Sequence, residues 1–303
     1  MCWSGEASAV IAATGIGLTI FTWRKGEPAP LCAALAYFSG MEVLQAATYL
    51  VIDQCGTSAN QVLTLLGYVH IAFQPFFANA VALYFIPADM AQRLRPWVYV
   101  ACAAGATLTL AQLIPSDEPC RPGRFLCGPH LCAIYGKFHL AWFVPVNGWF
   151  NWTMDIPVVD MSHGFPGYAI TFWLLPLLYG SWRVVLLFYV AGPLLPVLIV
   201  GPNEVPAIWC LESIFLCAII IKTPLRRWLH VGSWRALPLK AGYRLLRGTP
   251  LAHGRPAVAN GSTNAASTPC RPSSASAFLP TAHHPSVGEA DLREVLGPTR
   301  GRP

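Results

Sequence analysis

Long apolar runs separated by short polar stretches dominate the chain up to residue 222. The runs cover approximately residues 7–23, 31–52, 61–86, 97–114, 165–181, 184–200 and 205–221. A bilayer core of about 30 Å is crossed by roughly 20 apolar residues in a helix, with a range of about 17 to 25. The pattern therefore predicts an all-α protein, a bundle of seven membrane-spanning helices in residues 1–222, with a long outer loop at residues 115–164.

The composition supports this interpretation. Hydrophobic residues make up 54% of the chain and charged residues only 11%, against about 25% charged residues in a soluble domain. We therefore expect a multi-pass protein of the cell membrane, surrounded by membrane lipid. The formal net charge of +6 comes from short loops and from the stretch after the last apolar run. That placement indicates membrane orientation, and no nucleic-acid partner is predicted.

Basic residues are distributed unequally between the two sides of the predicted bundle. One side carries eight of them, namely Arg24, Lys25, Arg93, Arg95, Arg183, Lys222, Arg226 and Arg227. The other side carries three, namely Arg121, Arg124 and Lys137. Lys and Arg are enriched in cytoplasmic loops. The asymmetry predicts that the N-terminus lies outside the cell and the C-terminus in the cytoplasm.

The chain changes character after the last apolar run. Residues 223–248 mix basic residues with Trp and Leu, which predicts a basic segment lying at the membrane interface. Residues 249–303 are rich in Pro, Ser, Ala and Gly. Such a composition does not bury a core, so we expect a disordered cytoplasmic tail.

Several polar residues interrupt the apolar runs. Glu42 and Gln45 lie in the second run, His70 and Gln74 in the third, and Glu212 in the seventh. A charged group in hydrocarbon costs about 2.5–3.5 kcal/mol on insertion scales and normally faces the bundle interior. The five residues are therefore candidates for a polar pocket or a proton relay. The alternative is that they only join helices, through hydrogen bonds of about 0.6 kcal/mol each.

Two classes of function fit this constellation. In the first, a non-enzymatic membrane protein senses or translocates a small ligand or proton, with Glu42 as the acceptor and His70 as its partner. In the second, an intramembrane metal-dependent hydrolase acts on lipid. There His70 would ligate the metal with His139 or His163, and Glu42 would be the general base. The pattern assigns no cofactor, and a scaffold role is the remaining option.

Four cysteines fall on the predicted outer side, where disulfides persist. Cys55 follows the second run, and Cys120, Cys127 and Cys132 lie in the long loop. Disulfides are the first interpretation, and four cysteines allow three pairings. A metal knuckle completed by His130, or free thiols, are the alternatives.

Several long strings are similar to those of a known family. They include EVLQAATYLVIDQC, GYVHIAFQPFFANA and HLAWFVPVNG. The chain resembles, from Met1 to about Arg227, a family of microbial seven-helix membrane proteins known only as a domain of unknown function. The resemblance implies the seven-helix fold and includes Glu42 and His70 in the shared strings. It brings no activity, so it leaves the function open.

Overall fold

The structure is a computed structural model that describes residues 3–155 and 164–231. All of these residues belong to one compact unit, Met1–Leu246. A second unit, Arg247–Pro303, lies outside the described residues. The predicted disordered tail and most of the predicted interfacial segment therefore stay predictions.

Helices make up most of the described chain. They are α1 (Gly5–Arg24), α2 (Ala29–Tyr49), α3 (Ser58–Tyr84), α4 (Ala88–Ala111), α5 (Pro166–Ala169), α6 (Leu175–Leu178), α7 (Trp182–Ala191), α8 (Leu194–Ile199), α9 (Val205–Lys222) and α10 (Leu225–Leu229). The Ser4 hydroxyl caps α1 by accepting from the Ala7 N–H. The Thr57 hydroxyl does the same for α3 through the Asn60 N–H. Side-chain caps of this kind satisfy backbone donors that a helix start leaves unpaired.

Two of the predicted helical segments are interrupted. Between α5 and α6 the chain forms a π-helix, Ile170–Leu174, and the Thr171 carbonyl there accepts from Asn79 of α3. Between α7 and α8, Gly192 and Pro193 break the helix. Proline lacks the N–H that would continue the ladder and its ring clashes with the preceding turn. These breaks leave only short helices along this side of the bundle.

The seven predicted apolar segments all contain helix, with boundaries shifted by a few residues at most ends and by nine at the start of α4. Within the described residues, five stretches are long and apolar enough to cross a membrane: α1, α2, α3, Trp182–Ile199 and α9. Helix α4 is long but less apolar, and Pro166–Leu178 is shorter. The largely helical fold is confirmed, whereas the count of seven spanning helices stays a prediction.

The loop between α4 and α5 contains regular structure that the sequence interpretation missed. Strand β1 (Cys132–Tyr135) pairs antiparallel with β2 (Leu140–Phe143), and a short 3-10 helix covers Asn151–Asp155. This hairpin departs from the all-α prediction. It is held by non-local bonds, since Asn60 of α3 both donates to the Ala133 carbonyl and accepts from the Ala133 N–H. We call residues 115–155 the loop cap.

Two disulfides fix the loop cap. Cys55 pairs with Cys132, with Cα atoms 4.9 Å apart, and Cys120 pairs with Cys127 across 6.0 Å. The prediction that these four cysteines form disulfides is confirmed, and the structure selects one of the three pairings. Because all four thiols are consumed, they are not ligands for a metal knuckle with His130.

Helix α2 lies at the centre of the packing, against α1, α3 and α9. Helix α1 approaches it closely, since a Cβ atom on Gly15 would come within 2.3 Å of the Ser39 hydroxyl oxygen. At the end of the bundle away from the loop cap, Arg226 donates to Glu27 across 2.7 Å and also to the Tyr84 hydroxyl. These bonds tie the α1–α2 turn and the end of α3 to α10.

Candidate functional site

Glu42 is fully buried at the meeting point of three helices. Helix α2 presents it between α1, where the Ser8 hydroxyl lies against the carboxyl, and α9, where the Cys210 thiol faces it. Neither carboxyl oxygen reaches hydrogen-bond geometry with any described residue. An ionised carboxylate in such surroundings is strongly disfavoured unless it is paired. Glu42 is therefore a buried carboxyl at which binding of a proton or a cation would change the local energy.

A polar path leads from Glu42 toward the N-terminus. The Trp3 indole N–H donates to the Ser8 hydroxyl across 2.9 Å. Gln45, one turn along α2, donates through Nε2 to the Ala207 carbonyl across 3.3 Å, and its Oε1 has no hydrogen-bond partner among the described residues. The predicted residues Glu42 and Gln45 thus lie in one interface, between α2 and α9.

His139 closes this interface from the loop cap. Its Nδ1 accepts from the Leu140 N–H across 2.7 Å, and the Tyr49 hydroxyl lies 3.1 Å from the same nitrogen. The ring stacks on Trp3, with centroids 5.3 Å apart. Since Nδ1 is an acceptor, the ring proton resides on Nε2. Burial lowers the pKa of His139 to about 3, so the ring is neutral at physiological pH.

Glu204 is a buried carboxylate that sequence reasoning missed. It precedes α9 and accepts from the backbone N–H groups of Lys137, across 2.9 Å, of Phe138, across 2.5 Å, and of His139. These bonds fix the turn of the β1–β2 hairpin and place His139. The only local signal was an acidic residue next to the start of an apolar run, where it favours a helix N-terminus. The contact with the hairpin spans 65 to 67 residues of sequence.

His70 lies in a different interface. Its Nε2 is 3.0 Å from the Tyr37 carbonyl oxygen, and the Tyr37 hydroxyl donates to the His70 carbonyl across 2.5 Å. The two rings stack with centroids 3.9 Å apart. Within the described residues, no hydrogen bond or ion pair joins His70 to Glu42. The structure therefore gives His70 the contacts of a residue that pairs α2 with α3.

Gln74 lines a cavity below the loop cap. Its Nε2 donates to the Cys210 thiol across 3.1 Å, and its Oε1 accepts from the Tyr168 hydroxyl across 2.7 Å. The cavity has a volume of about 260 Å³ and a wall of mostly apolar and aromatic side chains. Of the five predicted pocket residues, only Gln74 belongs to this wall. Glu212 is half-buried on α9, with no hydrogen-bond partner for its Oε2 among the described residues.

The residues proposed as metal ligands do not converge in the part of the chain that the structure describes. There, no three side chains of His, Cys, Asp or Glu come together as a ligand set. His70 faces Tyr37, and Nδ1 of His139 is occupied by the Leu140 N–H. His163 lies outside the described residues.

Comparison with known proteins places the chain in a family. Residues 6–230 match the model of a family of unknown function, DUF5765. The chain belongs to DUF5765. The DUF5765 region includes Ser8, Glu42, His139 and Glu204, whereas Trp3 precedes it. No curated protein and no solved structure matches the chain.

Proposed function

We propose that this DUF5765 protein is a multi-pass protein of the cell membrane that senses or translocates a proton or another small ligand at Glu42. The five stretches that are long and apolar enough to cross a membrane support the membrane location. The excess of basic residues on one side supports an N-terminus outside and a cytoplasmic C-terminus. We further propose that the helices of residues 5–222 form the seven-helix bundle that the apolar runs predict.

The observation that carries this proposal is the unpaired state of the Glu42 carboxyl. Ionisable residues inside a membrane are costly and usually belong to ion paths, proton relays or ligand sites. A carboxyl that only joined helices would be expected to share its oxygens with donors, because unsatisfied buried groups cost about 1–3 kcal/mol or more. Neither oxygen of Glu42 reaches hydrogen-bond geometry among the described residues, and the one donor group against the carboxyl is the Ser8 hydroxyl. Its chemistry is thus available to a proton, a cation or a donor group of a ligand.

The packing suggests how occupancy of Glu42 would be transmitted. The close approach at Gly15 and Ser39 keeps α1 tight against α2, and Ser8 of α1 lies against the carboxyl. Removing the proton leaves a negative charge at the contact of α1, α2 and α9. The other titratable groups facing it are Tyr49 and Cys210, which offer no positive charge. We propose that the charge loosens α1 and admits water from the loop-cap side.

Glu42→Gln tests the proposal, because glutamine keeps the size of the side chain and removes its titration. For the wild type, we expect the unfolding temperature in mild detergent to fall as the pH is raised between about pH 5 and pH 9. The fall should be weaker in Glu42→Gln. The matched control is Glu212→Gln, which removes another glutamate of a spanning helix but not the one between α1 and α9. Equal pH dependence in wild type and Glu42→Gln would refute the proposal.

Vesicles holding a pH-sensitive dye separate sensing from translocation. Reconstituted wild type should dissipate a pH gradient faster than Glu42→Gln if the protein moves protons. If both are equally slow while the unfolding temperatures differ, the function is sensing. Among the described residues no ligand set supports the metal-dependent hydrolase, so one function is proposed.

A further inference from the structure

The cavity below the loop cap has a wall that is mostly apolar and aromatic. Two of its hydroxyl groups are engaged, since Tyr68 donates to the Thr109 carbonyl across 2.5 Å and Tyr168 donates to Gln74. The Trp209 indole N–H lies toward the Tyr168 hydroxyl without reaching hydrogen-bond geometry. Most of the wall therefore offers ring faces and aliphatic groups to an occupant. A strongly polar solute would lose more hydration there than the wall replaces.

The cavity is large enough to hold an apolar molecule. An apolar cavity of about 150 Å³ takes up benzene, and this one is larger, at about 260 Å³. Wall atoms that face an empty space lose their dispersion contacts. A flexible apolar chain recovers those contacts without needing a polar partner.

The position of the cavity indicates where that occupant enters. Leu194 and Val197 line the cavity and are 40% and 45% exposed. They lie on α8, next to the helix break at Gly192 and Pro193. This break falls inside Trp182–Ile199, one of the stretches apolar enough to cross a membrane. The cavity therefore borders a broken apolar stretch, through which an occupant from a surrounding bilayer would enter.

We propose that this cavity binds a hydrocarbon chain that enters sideways from the membrane between α7 and α8. The chain belongs either to a phospholipid or to a free amphiphile, and the apolar chemistry is the same. The proposal rests on the membrane location but not on Glu42, which lies outside the cavity wall.

The fluorescence of Trp209 can report whether the cavity is occupied. It lines the cavity but is only 5% exposed, so bulk lipid outside the bundle does not reach its ring. A Cβ atom on Gly192 would come within 1.8 Å of this ring, which shows how tightly the helix break packs over it. Bromine on an acyl chain quenches tryptophan fluorescence at short range. Quenching of Trp209 that disappears when the cavity is filled therefore reports a chain inside the cavity.

The experiment uses the full chain reconstituted in vesicles of phosphatidylcholine, with or without bromine at the middle of the acyl chains. The fluorescence of Trp209 is obtained as the difference between wild type and Trp209→Phe. We expect brominated lipid to remove most of this contribution. In a second arm, brominated free fatty acid is added to unbrominated vesicles. Quenching in the first arm alone assigns the chain to phospholipid, and quenching in both arms shows that a free chain also enters.

Ala169→Phe fills the cavity and should restore the Trp209 signal, while Ala103→Phe, on an exposed face of α4, should leave the quenching unchanged. If Ala169→Phe does not fold, Val197→Phe obstructs the mouth instead.

Unquenched Trp209 in both arms overturns the proposal. Trp97, which is 72% exposed on α4, is the reference for quenching by bulk lipid. Its fluorescence is obtained as the difference between wild type and Trp97→Phe. If brominated lipid leaves Trp97 unquenched as well, the membrane location itself fails, and the cavity proposal with it.

Discussion

Two buried glutamates in this protein have opposite surroundings. Glu204, below the hairpin of the loop cap, accepts three backbone N–H groups. Glu42, in the centre of the bundle, has no hydrogen-bond partner among the described residues for either oxygen. Both are almost inaccessible, with 3% and 0% of the residue exposed. Burial alone therefore does not determine whether a carboxyl is bonded to donors.

The difference lies in what surrounds each carboxyl. At Glu204 the oxygens accept from backbone donors that would otherwise be buried without partners, so these bonds support the fold. At Glu42 only the Ser8 hydroxyl lies against the carboxyl, without hydrogen-bond geometry, so a charge there would act against the packing of α1, α2 and α9. The loop cap is thus bonded to a buried carboxyl, whereas the interface below it contains a buried carboxyl without such bonds.

The largest effect is expected for Glu204→Ala. The substitution leaves three buried N–H groups without their acceptor, and we expect a loss of about 3–5 kcal/mol in the free energy of unfolding. Glu204→Gln keeps one acceptor oxygen and should lose about half as much. Chemical denaturation in mild detergent measures both. If Glu204→Ala were as stable as the wild type, the contrast with Glu42 would disappear.

The next largest losses of unfolding free energy are expected for the disulfides, and the disulfide that closes the longer loop should contribute more. Cys55–Cys132 joins residues 77 apart, and Cys120–Cys127 joins residues 7 apart. The chain-entropy model gives about 4.5 kcal/mol for the longer loop and about 2.4 kcal/mol for the shorter one, with smaller values common in practice. Unfolding of the double serine variants measures each contribution. A larger loss for the Cys120–Cys127 pair would contradict the model and would indicate that the short loop stabilises the loop cap by other means.

Acid should weaken the loop cap through His139. Burial lowers the pKa of His139 to about 3, against about 6.5 in an unfolded chain. The stabilisation is therefore complete above about pH 6.5 and is lost as the pH falls toward the folded value. Between pH 6.5 and pH 5 the wild type should lose about 2 kcal/mol more than His139→Gln, in which this group no longer titrates. Equal losses in the two proteins would show that the ring accepts a proton without disturbing the loop cap.

The smallest effect on stability is expected for Glu42→Gln at neutral pH. The substitution removes no hydrogen bond that described residues make, so the unfolding free energy should change by less than about 1 kcal/mol. The stability of Glu42→Gln relative to the wild type should rise as the pH is raised, because the wild-type carboxyl becomes charged and the amide does not. A loss as large as that of Glu204→Gln would mean that Glu42 is a structural carboxylate after all.

The sequence by itself determined the helices and the disulfide cysteines. Apolar runs long enough for a bilayer produced helix in each of the predicted segments, because this signal is local and repeats along the chain. Pro193 beside Gly192 ends α7 for an equally local reason. The four cysteines of the predicted outer side formed disulfides, although their pairing followed from the way the hairpin packs on α3.

Only the tertiary structure decided which polar residues meet. Glu42 and His70 lie at similar depth in the sequence pattern, yet they face different neighbours, Ser8 and Cys210 in one case and Tyr37 in the other. Helical spacing fixes the face of one helix that residues share but not the helix that packs against it. Glu204 and its hairpin partners are separated by 65 to 67 residues. The contrast between the two glutamates therefore depends on non-local contacts, which the sequence pattern does not predict.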